Sequence, residues 1–302
     1  MSAAARERLR DRVSDDEVVV LDENSAAPTT AEAAWLSRDL HQTPLRARMI
    51  AWILASDSIR WVQTYQAGLD DPAYARMLER GVRLTNSNAQ APAIAEYVLA
   101  HMLSVLHPIE AQRAAQAERL WRKVPFEEIA GRRVLLVGYG AIGKEIAARL
   151  QPFGVHLAVV RREPSADGFE THRLEDLPVL LPNADVVILA CALNAQTVRL
   201  ADAAFFAALK LGCLFINIAR GGLVDEEDLR ISLDHKRPGF AVLDVFETEP
   251  LQPDSWLWGH PRVRVSAHGA NAGHGVAARG DALFLDNLRR FIAGAALLNE
   301  VR

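Results

Sequence analysis

Gly138, Gly140 and Gly143 stand in the spacing G-x-G-x-x-G, a pattern with chemical meaning only where a strand turns directly into a helix. That context is present. Val134-Leu135-Leu136-Val137 is an apolar run suited to a strand buried on both faces, and Ile142, Ile146 and Leu150 mark one helical face behind the glycines. The first glycine permits the tight turn and the second lets a pyrophosphate approach the backbone. The third lets helix and strand pack closely, and the helix N-terminus at Ala141 and Ile142 stabilises the anion. The segment therefore reads as a dinucleotide site. The next strand ends in Val160-Arg161-Arg162, where an NAD site would place an acidic side chain for the ribose 2′-hydroxyl. Two guanidiniums there suit a dianionic 2′-phosphate, so NADP(H) is expected in preference to NAD(H); Glu163 beside them is the residue that would favour NAD(H).

The elements that must position this site follow from the rest of the chain. Its 302 residues, half of them hydrophobic, describe a globular protein long enough for two cores. A net charge of −4 with both signs dispersed gives no footprint for nucleic acid or an acidic membrane surface. Cys191 and Cys213 lie in apolar segments without metal-ligand spacing and read as buried thiols. The first residues mix arginines with Glu7, Asp11, Asp15 and Asp16 and hold no signal-peptide run, and no apolar stretch is long enough for a membrane span, so a cytoplasmic protein is expected.

In chain order, a polar helical segment precedes a strand at Val18–Leu21, and a helix capped by Thr29 or Thr30 runs through Ala33-Ala34-Trp35-Leu36. A helix over 45–56 leads to a half-buried, alternating strand over 59–64, the loop Ala67-Gly68-Leu69-Asp70, a strand over 82–85 and a long helix from Ala91 to His107. A helical segment over 109–124 follows. Further strands are expected over 155–160, 184–190, 214–218 and 240–245, with a final helix over 281–291. Alternating strands and helices indicate an α/β protein: two Rossmann-like or flavodoxin-like domains, doubly wound on parallel sheets, with a cleft between them. The dinucleotide-binding domain is placed at 109–283. The substrate domain is placed at 1–108 with 284–302.

Several ordered motifs beyond the glycine loop resemble the D-isomer-specific 2-hydroxyacid dehydrogenases, from about Trp61 onward. Asn217-Ile218-Ala219-Arg220-Gly221-Gly222-Leu223-Val224-Asp225-Glu226 is similar to the family's arginine motif. Asp244-Val245-Phe246-Glu247-Thr248-Glu249-Pro250-Leu251 is similar to its glutamate motif, and the run from Leu257 to Val263 leading to Ser266-Ala267-His268-Gly269 to its histidine motif. The resemblance implies NADPH-dependent reduction of a small 2-keto acid, of the glyoxylate or hydroxypyruvate type, by a homodimer. Arg220 would hold the substrate carboxylate and polarise its carbonyl, and His268, of a type that titrates near neutrality, would be the general acid. Glu249 would orient the imidazole. The resemblance also places Asp244 at the nicotinamide carboxamide, Thr197 in the loop beneath the nicotinamide, and the backbone of Ala67 and Gly68 at the substrate carboxylate. His260 is expected to be structural and His274 to line the pocket.

The chain departs from the family pattern at Ala192 and Ala267, where proline is common, and in a short first domain. Two other readings compete: a nucleotide-sensing regulatory or corepressor-like protein without turnover, and oxidation of a donor such as formate or a phosphonate. The Arg220, Glu249 and His268 set disfavours both. A sensor has no use for an acid, and formate oxidation needs no proton relay.

Overall fold

The computed structural model describes every residue except 15–17, 23, 26–29, 42, 164–167 and 302. Two compact units emerge, Met1–Gln90 with His274–Arg302, and Ala91–Gly273. The expected divisions after 108 and 283 lie some distance from these. Packing supplies the reason: Ile94, Ala95, Val98 and Met102 of the helix Ala91–Leu106 share a core with Val134, Ile146, Ala147 and Leu150, so that helix belongs with the nucleotide unit.

In the first unit, β1 (Ala33–Leu36), β2 (Trp61–Thr64) and β3 (Arg83–Thr85) form a parallel sheet in that order. Two expectations fail here. Ala33–Leu36 is a strand rather than part of a helix, because pairing with β2 in the register Ala33↔Trp61 to Leu36↔Thr64 buries Trp35 and Leu36. Val18–Leu21 is not a strand: Val19 and Val20 are exposed, and Leu21 alone makes an isolated bridge, to Ser2. Thr29, one of the two proposed caps, and Asp15 and Asp16 of the expected N-terminal helix lie outside the described residues; the helix itself spans Ala3–Leu9. All four β2 residues are buried, since a middle strand has neighbours on both edges and cover on both faces. The helices Pro44–Ala55 and Pro72–Glu79 each begin on a proline, whose missing N–H costs nothing in the first turn. The closing helix Val276–Ile292 sets Phe284 against Trp35 and Trp61, with ring centroids 5.1 and 5.6 Å away.

The second unit holds β4 (Arg133–Val137), β5 (His156–Val160), β6 (Glu170–His172), β7 (Val186–Leu189), β8 (Leu214–Asn217), β9 (Phe240–Leu243) and β10 (Val263–Val265). They form one sheet in the order β10-β9-β8-β7-β4-β5-β6, and every pairing is parallel. Buried residues pack on both faces of this sheet, as the continuous apolar strands require. Strand order reverses between β4 and β7, where an open α/β sheet leaves a crevice at its carboxyl edge.

Candidate active site

The glycine loop leaves the carboxyl end of β4 beside that crevice. Gly138 adopts φ 106° and lies so near Ala190 and Cys191, beyond β7, that a Cβ would meet their backbone at 2.5 Å. Gly143 sits equally tightly on the carbonyl of Gly138, whereas the space beside Gly140 is open. The helix Ala141–Leu150 starts at Gly140 without a side-chain cap, so no N-cap side chain occupies its first N–H groups. Among the residues present, two positions seal the turn and the third admits a ligand, as a pyrophosphate requires. A bound dinucleotide fits this loop.

Arg161 follows β5 directly, and its backbone N–H bonds the carbonyl of His172. Its guanidinium lies 5.2 Å from the centroid of the Tyr139 ring, which carries it toward the glycine loop. Arg162 and Glu163 are exposed. Thr197 is buried with its hydroxyl engaged inside its own loop, donating to the carbonyl of Ala192 at 2.7 Å and accepting from the N–H of Asn194 at 2.9 Å. It shapes the loop after β7. Cys191 is half-buried and Cys213 buried; desolvation pushes their thiols up to about 11 and about 12, so both stay protonated near neutrality.

The three residues of the family motifs stand beyond neighbouring strands: Arg220 after β8, Glu249 after β9 and His268 after β10. Asn217, fully buried at the end of β8, fastens the arginine turn; its Oδ1 accepts from the N–H of Ala219 at 3.1 Å and its Nδ2 donates to the carbonyl of Arg220 at 2.9 Å. Arg220 Nη1 donates to the carbonyl of Ala219 at 2.6 Å. Gly221 then brings this turn onto the glutamate loop, where a Cβ would fall 1.9 Å from the carbonyl carbon of Phe246. Only glycine permits that approach. In the loop it abuts, Glu249 Oε1 accepts from the N–H of Phe246 at 3.1 Å, and Glu249 Oε2 lies 2.8 Å from His268 Nδ1. Nδ1 thus carries the proton that faces the carboxylate, and Nε2 is left for a substrate. The His268 side chain is 44% exposed, so a reacting group can reach it.

His268 takes a left-handed backbone, φ 50°, uncommon outside glycine. Asp244, 2% exposed at the end of β9, holds it there. Its carbonyl accepts from the N–H of His268 at 2.8 Å, while Oδ1 accepts from Ser266 Oγ at 2.6 Å, Gly269 N at 2.8 Å and Ala270 N at 3.1 Å. The family resemblance implies that Asp244 meets the nicotinamide carboxamide; in the structure its carboxylate also ties together the histidine loop. His260 Nδ1 accepts from the N–H of Arg262 at 3.2 Å within its turn, and its pKa is lowered by burial and by Arg262, as suits a structural imidazole. His274 is exposed and lies in the other unit, as do Ala67 and Gly68, half-buried beyond β2, where the carbonyl of Ala67 accepts from Asn86 Nδ2 at 2.8 Å.

Ser266 and Tyr97 were not singled out by sequence reasoning. Ser266 lay inside the histidine motif, but a serine there carries no distinguishing pattern. Tyr97 reaches it from 169 residues away, and no local spacing announces that contact.

A parallel sheet with a glycine turn at its reversal point, shaped to admit a pyrophosphate, and a carboxylate-paired histidine on its carboxyl edge has the architecture of a nicotinamide-dinucleotide oxidoreductase. The comparisons name it further. A profile of the D-isomer specific 2-hydroxyacid dehydrogenase NAD binding domain matches residues 99–270, more than half of the chain. The chain is 36% identical to an (S)-sulfolactate dehydrogenase of Chromohalobacter salexigens over 66% of its own length and 66% of that protein. It is 31% identical to a glyoxylate/hydroxypyruvate reductase of Arabidopsis thaliana, over 78% of its length and 74% of that protein. The crystal structure of an NADPH-dependent glyoxylate/hydroxypyruvate reductase from Sinorhizobium meliloti, in complex with NADP and sulfate, superposes with a TM-score of 0.77 at 26% identity, covering 92% of this chain and 87% of that one. The protein belongs to the D-isomer-specific 2-hydroxyacid dehydrogenases, a family of NAD(P)-dependent oxidoreductases. Among the described residues no helix is long and apolar enough to cross a membrane.

Proposed function

We propose that this protein reduces a small 2-keto acid, of the glyoxylate or hydroxypyruvate type, to the D-2-hydroxy acid with NADPH. The observation that carries the reading is the 2.8 Å contact between His268 Nδ1 and Glu249, on the carboxyl edge that also presents Arg220. When bound, the nicotinamide supplies the hydride that C2 of the keto acid accepts. Arg220 holds the carboxylate and draws electron density onto the carbonyl oxygen, a task for which a planar, permanently charged fork suits better than lysine. His268 Nε2 gives its proton to the oxygen as the C–O π bond becomes an alkoxide, and Glu249 stabilises the imidazolium before that transfer. Oxidation runs the same path backward, with His268 as base. The backbone at Ala67 and Gly68 is assigned to the substrate carboxylate.

Gly138, Gly140, Ala141, Ile142 and Gly143 would hold the pyrophosphate, and Arg161 with Arg162 the 2′-phosphate. Support for NADPH comes from the two guanidiniums after β5 and from the NADP complex of the Sinorhizobium relative. The remaining lone pairs of Asp244 Oδ2, and the loop that Thr197 shapes, are assigned to the nicotinamide. A homodimer is the assembly we assign. The test is oxidation of NADPH and NADH, followed at the nicotinamide absorbance, with glyoxylate, hydroxypyruvate, pyruvate and phenylpyruvate. NADPH turnover with glyoxylate or hydroxypyruvate is expected. Tight NADPH binding without turnover on any keto acid would replace this reading with that of a sensor.

A further inference from the structure

Resting on the assignment of His268 as the acid, we propose that Tyr97 is a positioning residue for that acid, acting through Ser266 and Asp244. Tyr97 lies on the helix Ala91–Leu106, with its hydroxyl 2.6 Å from Ser266 Oγ. Ser266 Oγ is in turn 2.6 Å from Asp244 Oδ1, the oxygen that also accepts from Gly269 and Ala270. The direction of the chain is fixed by chemistry. A carboxylate only accepts, so Ser266 directs its proton at Asp244, and the Ser266 oxygen receives the Tyr97 proton. Burial pushes the Tyr97 phenol up to about 12, which keeps that proton in place across the working range. His101, whose ring centroid is 4.1 Å from that of Tyr97, offers no competing bond through Nδ1, a buried atom without a hydrogen-bond partner.

The consequence falls on His268. Residues 266, 269 and 270 are tied to one carboxylate, and His268 within that stretch holds a left-handed backbone that an unconstrained non-glycine residue leaves readily. Chained hydrogen bonds polarise one another, so a phenol donating to Ser266 strengthens the bond Ser266 makes to Asp244. Replacing tyrosine by phenylalanine keeps the packing and removes that donor. The loop then samples other backbones, and a proton donor displaced by a fraction of an ångström loses rate rather than cofactor affinity.

The experiment uses the full chain with NADPH and the best keto acid, comparing wild type, Tyr97→Phe, Ser266→Ala and His268→Ala, and each of the first two combined with the third. Tyr97→Phe and Ser266→Ala are each expected to lower kcat about fivefold to thirtyfold, the loss of one buried hydrogen bond, with KM for NADPH and the melting temperature little changed. In the His268→Ala background neither should lower the residual rate further, because no acid remains to be positioned. Should that residual rate be too small to read, the split between kcat and KM at an unchanged melting temperature decides. Wild-type kcat in Tyr97→Phe, or an equal fold-loss with and without His268, overturns the positioning role alone. Full turnover in His268→Ala by itself overturns the acid assignment, and the positioning proposal falls with it.

Discussion

Two regions on the carboxyl edge of the same seven-stranded sheet are built on opposite plans. Around His268 the polar groups are committed to one another: Asp244 gathers Ser266, Gly269 and Ala270, Glu249 holds Nδ1, and Asn217 fastens the arginine turn. Around Gly140 the backbone is fixed at its flanks by Gly138 and Gly143 but leaves open space between them, and the helix behind it has no side-chain cap. The first plan suits an acid whose geometry must be right before the reaction starts. The second suits a ligand that brings its own charge and completes the bonds on arrival. Changes in the first region should therefore appear in kcat, and changes in the second in cofactor affinity.

The sharpest way to break this division is Arg220→Lys. A point charge in place of the fork is expected to lower kcat/KM for the keto acid by about a hundredfold or more, as removal of a polarising donor does, while NADPH affinity, read by fluorescence titration, holds. Glu249→Gln keeps the shape and removes the charge facing Nδ1; a fall in kcat of about tenfold to a hundredfold is expected, and an unchanged kcat would deny Glu249 its role. Gly221→Ala probes the packing of the arginine turn on Phe246. A Cβ with no room for it should cost about 1–3 kcal/mol in denaturant unfolding, with activity reduced along with it. Smallest is Arg161→Ala, which should raise KM for NADPH about tenfold and leave KM for NADH alone, and an equal effect on both would remove the 2′-phosphate from the account.

How far these regions could be read from the chain depends on the length over which their residues communicate. The glycine loop, Asn217–Glu226 and Asp244–Leu251 are each one continuous turn after a strand, so their pattern is local and the sequence shows it. Strands β4, β5, β7, β8 and β9 were legible for the same reason, as apolar runs bounded by turns, whereas β6, Glu170–His172, is polar and carries no such run. Ala33-Ala34-Trp35-Leu36 was not, since four residues carry no period and two alanines favour a helix; only pairing with Trp61–Thr64 makes them a strand. Val18–Leu21 has the β-branched residues of a strand but no such partner. The bonds that tie the Asp244 carboxylate to Gly269 and Ala270 were not legible either, since they depend on a chain fold that spacing alone does not encode.

The measurement that tests the division most directly pairs NADPH binding with keto-acid turnover in His268→Ala. The structure predicts an NADPH dissociation constant within about twofold of wild type together with a kcat lowered by about two orders of magnitude or more, the usual contribution of a positioned acid. A variant that reduces the keto acid at the wild-type rate, or that loses NADPH binding in parallel with turnover, would contradict it.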